Sequence, residues 1–339
     1  MKKTLKSFLL FLLDITGINL LFRIINRNKA IILYYHGICD DSFYLLDGYD
    51  ERHIYRSSFR KHLEYLKRHG YVFVNMTTLV EALKNKTRTR KYVALTFDDG
   101  FRNIVINAYP IMNEFKAKGC FYIISDLVGK NQLVWTDYVE TIIRNQSADD
   151  FNFLFKGNKI SYWLKDKVSA EQAMRDIKKK LRSIPDKERR EHLEQFNNQT
   201  LKDIPDEFRI VSWEEIKGLD HTILEIGSHT KGHPDCEKLV SDAELEKEIL
   251  QSKLDIETQI GGKVAHFCYP AGSYNDKVVE KLREYGYESA VTTKSGFVEA
   301  LADRYQLNRI AGENHLSSFK ANVSGSYDYI RRIKSWFNG

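Results

Sequence analysis

Thr96-Phe97-Asp98-Asp99-Gly100 is the stretch that decides the fold, because it closes the apolar run Tyr92–Phe97 with two adjacent carboxylates and a flexible residue. A short apolar run ending this way reads as a buried strand whose C-terminal end presents chemistry, the place where α/β folds build their sites. Taken alone, Asp-Asp-Gly is also ordinary turn chemistry. The neighbourhood decides between the two. Ile104, Ala108, Ile111 and Phe115 follow at helical spacing, Gly119 offers a stop, and Cys120 to Ile124 supplies the next strand. That is one βαβ unit.

The same rhythm extends in both directions. Upstream, Ile31 to Tyr35 reads as the first strand, and Ser57 and Ser58 offer a cap for a helix carrying Phe59, Leu63 and Leu66, which Gly70 ends. Downstream, Ile223–Ile226, Val264–Tyr269, Glu288–Thr292 and Gln306–Ile310 read as four further strands. Between them lie a helix with a Ser241/Glu244 capping box, stopped at Gly261 and Gly262, and a second helix from Asp276 to Tyr285. The alternation predicts an α/β fold resembling an incomplete barrel. From about residue 131 to 212 the rhythm breaks into charged stretches such as Lys178–Arg182 and Lys187–Glu194, which predicts a helical insertion, either a solvated appendage or a lid. Residues 31–339 are then one domain carrying that insertion.

Composition sets limits on function. The net charge of +6 is the small excess of 52 basic over 46 acidic residues, with no long basic run, so nucleic acid is excluded as a partner. Cys39, Cys120, Cys236 and Cys268 lack both zinc-knuckle spacing and disulfide density, and read as free thiols in a reducing compartment. Residues 1–30 form an amphipathic segment. Lys2, Lys3 and Lys6 precede the run Phe8–Leu13, but Asp14 ends it far short of the roughly 20 residues that span a bilayer, and no small-residue cleavage site follows. Leu5, Phe8, Leu9 and Leu12 share a helical stripe, and Ile18–Ile25 adds a second stretch with Arg23. Peripheral contact with the inner face of a membrane through residues 1–26 and docking on its own domain suit this segment equally well. The expected location is cytoplasmic.

Two more elements end predicted strands. After Ile223–Ile226, His229-Thr230-Lys231-Gly232-His233 places two imidazoles four residues apart, so that one helical turn would bring them to one face. Imidazoles so placed can share a Zn²⁺ ion at about 2.0 to 2.1 Å, with a carboxylate from elsewhere as third ligand. After Val264–Tyr269 comes the turn Tyr269-Pro270-Ala271-Gly272.

Carboxylates, then histidines, then this turn form an ordered set that resembles the polysaccharide deacetylases of carbohydrate esterase family four, whose domain is also called the NodB-homology domain. The resemblance covers roughly residues 31–312 apart from the insertion. It implies a distorted (β/α)₇ barrel and a hydrolase that removes N-acetyl groups from amino sugars, as in exopolysaccharide biosynthesis, with an N-acetylated glycan as partner. It further implies that Asp99, His229 and His233 hold Zn²⁺, or another divalent ion such as Co²⁺ or Ni²⁺. A water activated by the metal would be the nucleophile, Asp98 the general base and the Ala271 N–H an oxyanion donor. The segment Tyr34-Tyr35-His36-Gly37 looks like that of circularly permuted members, which makes His36 the expected general acid, with His315 as the alternative.

Two departures stand out. Cys268 occupies the position where unpermuted members carry an arginine that orients the aspartate, and Arg309 is the candidate to replace it, unless it is a surface residue. Ala271 stands where the family usually has Tyr, and Tyr269 is counted with Ala271 and Arg309 among candidate oxyanion or substrate contacts. An O-acetyl esterase and a glycan-binding protein without turnover remain as the other readings.

Overall fold

The computed structural model describes residues 10, 12–42, 52–130, 132–146, 149–196 and 205–337. Leu5, Phe8, Leu9 and the three N-terminal lysines named above lie outside the described residues. The seven apolar runs are strands, numbered here β1 (Ile31–Tyr35), β2 (Tyr92–Phe97), β3 (Gly119–Ile123), β4 (Leu224–Ser228), β5 (His266–Cys268), β6 (Ser289–Ser295) and β7 (Leu307–Ala311). They lie in the order β1-β7-β6-β5-β4-β3-β2, and β1 pairs with β2 as well, so the ring closes. All seven pairings are parallel. The barrel is therefore complete, as the (β/α)₇ expectation required, and the incomplete barrel expected from the alternation of runs is corrected by the β1–β2 pairing.

Strand residues alternate between two buried environments, which is why the runs are apolar on both faces. Ile31, Leu33, Tyr35, Val93, Leu95 and Phe97 pack outward in the large core beneath the helices. Ile32, Ala94, Cys120, Tyr122, Cys268 and Leu307 form the second core, inside the ring. Space there is tight: a Cβ on Gly227 would lie 2.4 Å from the Tyr122 ring. Helix Met76–Lys84 joins that inner core with Met76, Leu79, Val80 and Leu83. Its first N–H groups meet the Glu225 carboxylate on β4, with Met76 N at 2.9 Å, a favourable charge for a helix start. This plug closes the N-terminal end of the ring, so the interior opens only where the strands end.

Two expectations need correction. The helix after β2 ends at Lys116, which adopts the left-handed conformation (φ 53°), while Gly119 already begins β3. The insertion is not purely helical. Asp150–Phe155 and Asn158–Trp163 form an antiparallel hairpin that turns through Lys156 and Gly157, both at positive φ. Phe151 and Phe153 are buried from the hairpin against Ile142, Ile143, Ala173, Ile177, Leu181 and Phe196 of the insertion's own core.

Two buried histidines make the fold acid-sensitive. His62 stacks on Phe319 with ring centroids 3.7 Å apart, and burial pushes its pKa down to about 3. Burial takes His266 down to about 4. Both are neutral in the fold at pH 7 and would protonate near pH 6.5 when unfolded. The unfolded chain therefore binds more protons below that pH, and stability that is full above about 6.5 drains away as pH falls towards the folded values. Each histidine should remove about 2 kcal/mol between pH 6.5 and pH 5. Urea unfolding at pH 7 and pH 5 checks this: His62→Phe should shrink the acid-induced loss by about that amount, and an unchanged loss would refute it.

Candidate active site

The inward parity of each strand places chemistry at the open rim. Residues continuing the inner rows are His36 after β1, Asp98 after β2 and His229 after β4, while Cys268 ends β5 and Arg309 lies within β7. Asp99 sits beside Asp98 at φ 73°, a strained conformation for a non-glycine residue that turns its carboxylate towards the histidines. His229 Nε2 lies 3.3 Å and His233 Nε2 3.5 Å from Asp99 Oδ1. These three ligand atoms all fall within 4.8 Å of one another.

His229 and His233 do not lie on a helical turn, contrary to the sequence expectation. Thr230 (φ 66°) and His233 (φ 61°) are both left-handed, and the loop is held instead by side chains. Thr230 Oγ1 accepts the His233 N–H at 2.9 Å, and Glu248 Oε2 accepts the Gly232 N–H at 2.7 Å. The Nδ1 of His229 lies 2.8 Å from the Cys268 carbonyl, so Nδ1 carries a proton and Nε2 is the ring nitrogen turned to Asp99. Asp99 Oδ1 is buried and makes no hydrogen bond. One acidic oxygen left bare between two imidazole nitrogens is the donor set of a tetrahedral Zn²⁺ site with an open position, so these residues fit the ion the fold family implies. Asp98, His229 and Cys268 also cluster, but there Asp98 is taken up by Arg309 and the neighbouring Nδ1 of His229 by a carbonyl.

Arg309 is fully buried, and every donor of its guanidinium is used. Nη1 and Nη2 grip the two Asp98 oxygens at 2.8 Å each, Nε reaches the Thr292 carbonyl at 2.7 Å, and Thr96 Oγ1 and Cys268 Sγ take the remainder at 3.1 and 3.4 Å. The Tyr34 ring covers its face at 4.6 Å. Cys268 is small, and its sulfur lies against the guanidinium that reaches Asp98 from β7. Burial alone would raise the Asp98 carboxyl; Arg309 outweighs it and holds the group below the usual carboxylate range. Arg309 therefore faces the aspartate and not the solvent, which removes it from direct substrate contact.

His36 stands at the rim next to these carboxylates, since the Tyr35 carbonyl accepts the Asp98 N–H at 2.9 Å. Burial lowers the His36 pKa, and the Asp99 and Asp98 carboxylates oppose that shift. Gly37 follows because a Cβ there would sit 2.2 Å from the His53 ring. His315, by contrast, is exposed at the start of helix Leu316–Ser324. In the turn after β5, Ala271 is exposed and left-handed (φ 55°). Tyr269 is not at the surface. It is fully buried, stacks on Tyr274 and gives its hydroxyl to the Tyr305 carbonyl at 2.8 Å, so its side chain supports the turn from the core.

One group was missed by the sequence reading. Arg52 places Nη1 3.8 Å from Asp99 Oδ2 and also forms ion pairs with Asp137 and Glu140 of helix Trp135–Arg144. From the same insertion, Arg189 donates to the His233 carbonyl at 3.1 Å and stacks on Trp135 at 4.7 Å. The insertion is thus the wall beside the histidine loop and not a solvated appendage. No local motif marks Arg52, Asp137 or Arg189; each is significant only through its partner far away in sequence.

Residues 85–290 match the family model of the polysaccharide deacetylases. YxkH of Bacillus subtilis, whose name assigns it provisionally to those enzymes, is 18% identical over 283 residues, 83% of this chain and 71% of its own. Among solved structures, the Streptococcus pyogenes deacetylase PplD, determined with acetate, is similar at TM-score 0.58 and 21% identity, over 86% of this chain and 96% of that one. IcaB from Ammonifex degensii gives 0.57 at 16% identity (88% and 96%), and a de-N-acetylase from Aggregatibacter actinomycetemcomitans 0.55 at 19% (86% and 98%). At these identities the structural likenesses speak to the fold.

Proposed function

We propose that this chain, which belongs to the polysaccharide deacetylase family, removes N-acetyl groups from the amino sugars of a polysaccharide or of its glycan precursor. The observation that carries the reading is the convergence of Asp99, His229 and His233 beside an Asp98 that Arg309 keeps ionised. When held by those three ligands, a divalent cation such as Zn²⁺, Co²⁺ or Ni²⁺ supplies a lowered water pKa and a polarised amide carbonyl. Asp98 takes the proton of the attacking water, and its fixed orientation sets the line of attack. The Ala271 N–H, on an exposed left-handed residue at the rim, donates to the developing oxyanion. His36 delivers a proton to the departing amine nitrogen. Arg309 and Arg52 are positioning residues, the first through Asp98 and the second through Asp99.

His36, just after β1, and Arg309, on β7, both lie outside the stretch 85–290 that matches the family model. The β1–β2 pairing brings the end of β1 beside the end of β2, so His36 stands next to Asp98, and this placement supports His36 as the acid.

The test is incubation of metal-loaded protein with a panel of N-acetylated sugars, oligomers and lipid-linked sugars, scoring acetate and new amine together. One metal per chain and equal yields of acetate and amine are expected, with Asp98→Asn inactive. Metal-loaded protein that releases acetate from none of them would instead be a glycan-binding homologue. We also propose a cytoplasmic location, in keeping with cysteine spacing that suits neither a disulfide scaffold nor a zinc knuckle. Recovery of the native protein from outside the cytoplasmic membrane would count against it.

A further inference from the structure

Helix Ile18–Ile25 is packed inside out. Its polar residues Asn19 and Arg23, one turn apart, face the protein. Asn19, 3% exposed, accepts hydrogen bonds from Ser324 Oγ at 3.3 Å and Ser326 Oγ at 2.6 Å, and Arg23 donates to the Tyr65 hydroxyl at 3.0 Å. Its apolar residues face outward: Leu20, Leu21, Ile24 and Ile25 are 50, 56, 50 and 62% exposed, and Ile15 just before the helix is 61% exposed. Polar anchoring of this kind fixes the helix firmly. Asn26 adds a bond to the Ser324 carbonyl at 2.9 Å, and Phe22 packs on Tyr329 at 5.0 Å. A water-facing surface would be expected to carry the opposite pattern.

Charge beside this face points to the occupant. The helix leads into Arg27, whose carbonyl accepts the Lys91 N–H at 3.2 Å, which brings the segment Lys84-Asn85-Lys86-Thr87-Arg88-Thr89-Arg90-Lys91 alongside. That segment holds five basic residues and no acidic one; Lys84 is paired with Glu288, while Lys86, Arg88 and Arg90 are exposed. In residues 1–30, six basic residues stand against one acidic residue; Arg23 is turned to Tyr65 and Lys29 is paired with Glu299 at 2.9 Å, while Asp14 is paired with Lys320 at 2.6 Å. We infer that the outward face of helix Ile18–Ile25 and the basic segment 84–91 together dock the protein on an anionic lipid bilayer surface, with the apolar side chains entering the interface and the cations meeting headgroups. A second copy of the chain is the poorer occupant, because pairing this face with itself would bring two basic segments together.

The contact is peripheral, since among the described residues no helix is long and apolar enough to cross a membrane. It also lies away from the catalytic rim. Lys91 immediately precedes β2 and Ala30 precedes β1, so the docking face sits at the end of the barrel that helix Met76–Lys84 plugs. With strands rising about 3.3 Å per residue, the mouth would stand roughly 20 Å from the docked end, open to a glycan chain.

The experiment is co-sedimentation of the full chain with phosphatidylcholine vesicles and with vesicles in which a third of the lipid is phosphatidylglycerol. Binding to the anionic vesicles only, weakened as salt rises, is expected. The pair Leu21→Glu with Ile25→Glu should lower partitioning about tenfold or more, and Arg88→Glu with Arg90→Glu should lower it as well. Both pairs should unfold at the parent temperature, because the replaced side chains are exposed. The inference is overturned if the folded parent stays in the supernatant with anionic vesicles at low salt, or if the Leu21/Ile25 pair binds as the parent does. A concentration-dependent dimer abolished by that pair would assign the face to self-association instead. None of these outcomes depends on the deacetylase reading.

Discussion

Replacing Arg309 with Met should cost about 3–5 kcal/mol of folding stability and most of the activity at once. The guanidinium is fully buried and bonded to both Asp98 oxygens, and Asp98 itself is 2% exposed. Met has the volume to fill the space but no charge, so the Asp98 carboxylate would be stranded in a barrel interior lined by Cys268, Tyr34 and Thr96. A buried carboxylate without its partner protonates, and a protonated Asp98 cannot accept a proton from water. Activity should therefore drop by at least about 100-fold, the usual worth of a general base. A typical domain holds only about 5–15 kcal/mol in total, so Arg309→Lys is the companion variant. It keeps the charge, loses the two-pronged grip, and should fold while recovering only part of the activity. Urea unfolding and acetate release measured on both variants give the answer. If Arg309→Met unfolds with the parent and turns over within threefold of it, the ion pair is not what keeps Asp98 in its working state.

That pair also shows where sequence reading succeeds and where it stops. The strands were legible because a closed parallel barrel buries both faces, and continuous apolar runs such as Tyr92–Phe97 leave a plain signature. Asp98, Asp99 and His229 were legible because site residues gather at strand ends. What could not be read was any relation decided by packing alone. His229 and His233 meet through two left-handed residues, one of them the β-branched Thr230, and no spacing rule forecasts that. Arg52 and Asp99 are far apart in the chain, and the ion pair between them exists only because the short strand His53–Tyr55 pairs with Gly37–Cys39 just beyond β1 and so brings Arg52 to the rim. The hairpin at residues 150–163 was hidden by Leu154, which interrupts the alternation of Phe151, Phe153 and Phe155, and by a Lys-Gly turn in place of the usual Asn-Gly. Tyr269 was counted among the candidate oxyanion or substrate contacts, whereas its hydroxyl finds a carbonyl in the core.

His36→Ala should slow amide hydrolysis by about 100- to 10,000-fold and ester hydrolysis far less. The difference follows from the leaving groups. An amine departing from a tetrahedral intermediate must collect a proton as the bond breaks, whereas an alkoxide can leave with little help. The reaction needs a donor on the leaving-group side, and His36 is the half-buried imidazole at the rim next to Asp98 and Asp99. Burial draws its pKa down while those carboxylates push it back up. The measurement pairs an N-acetylated and an O-acetylated sugar of the same backbone and compares kcat/KM for the parent and His36→Ala. A large loss on the amide with a small one on the ester identifies His36 as the proton donor and the chain as built for amides. Equal losses on both would make it a residue that shapes the site, and no loss on either would return the role to His315, the exposed histidine at the start of helix Leu316–Ser324. Because Asp98→Asn should abolish both reactions by removing the base they share, the contrast between the two variants separates the first proton transfer from the second.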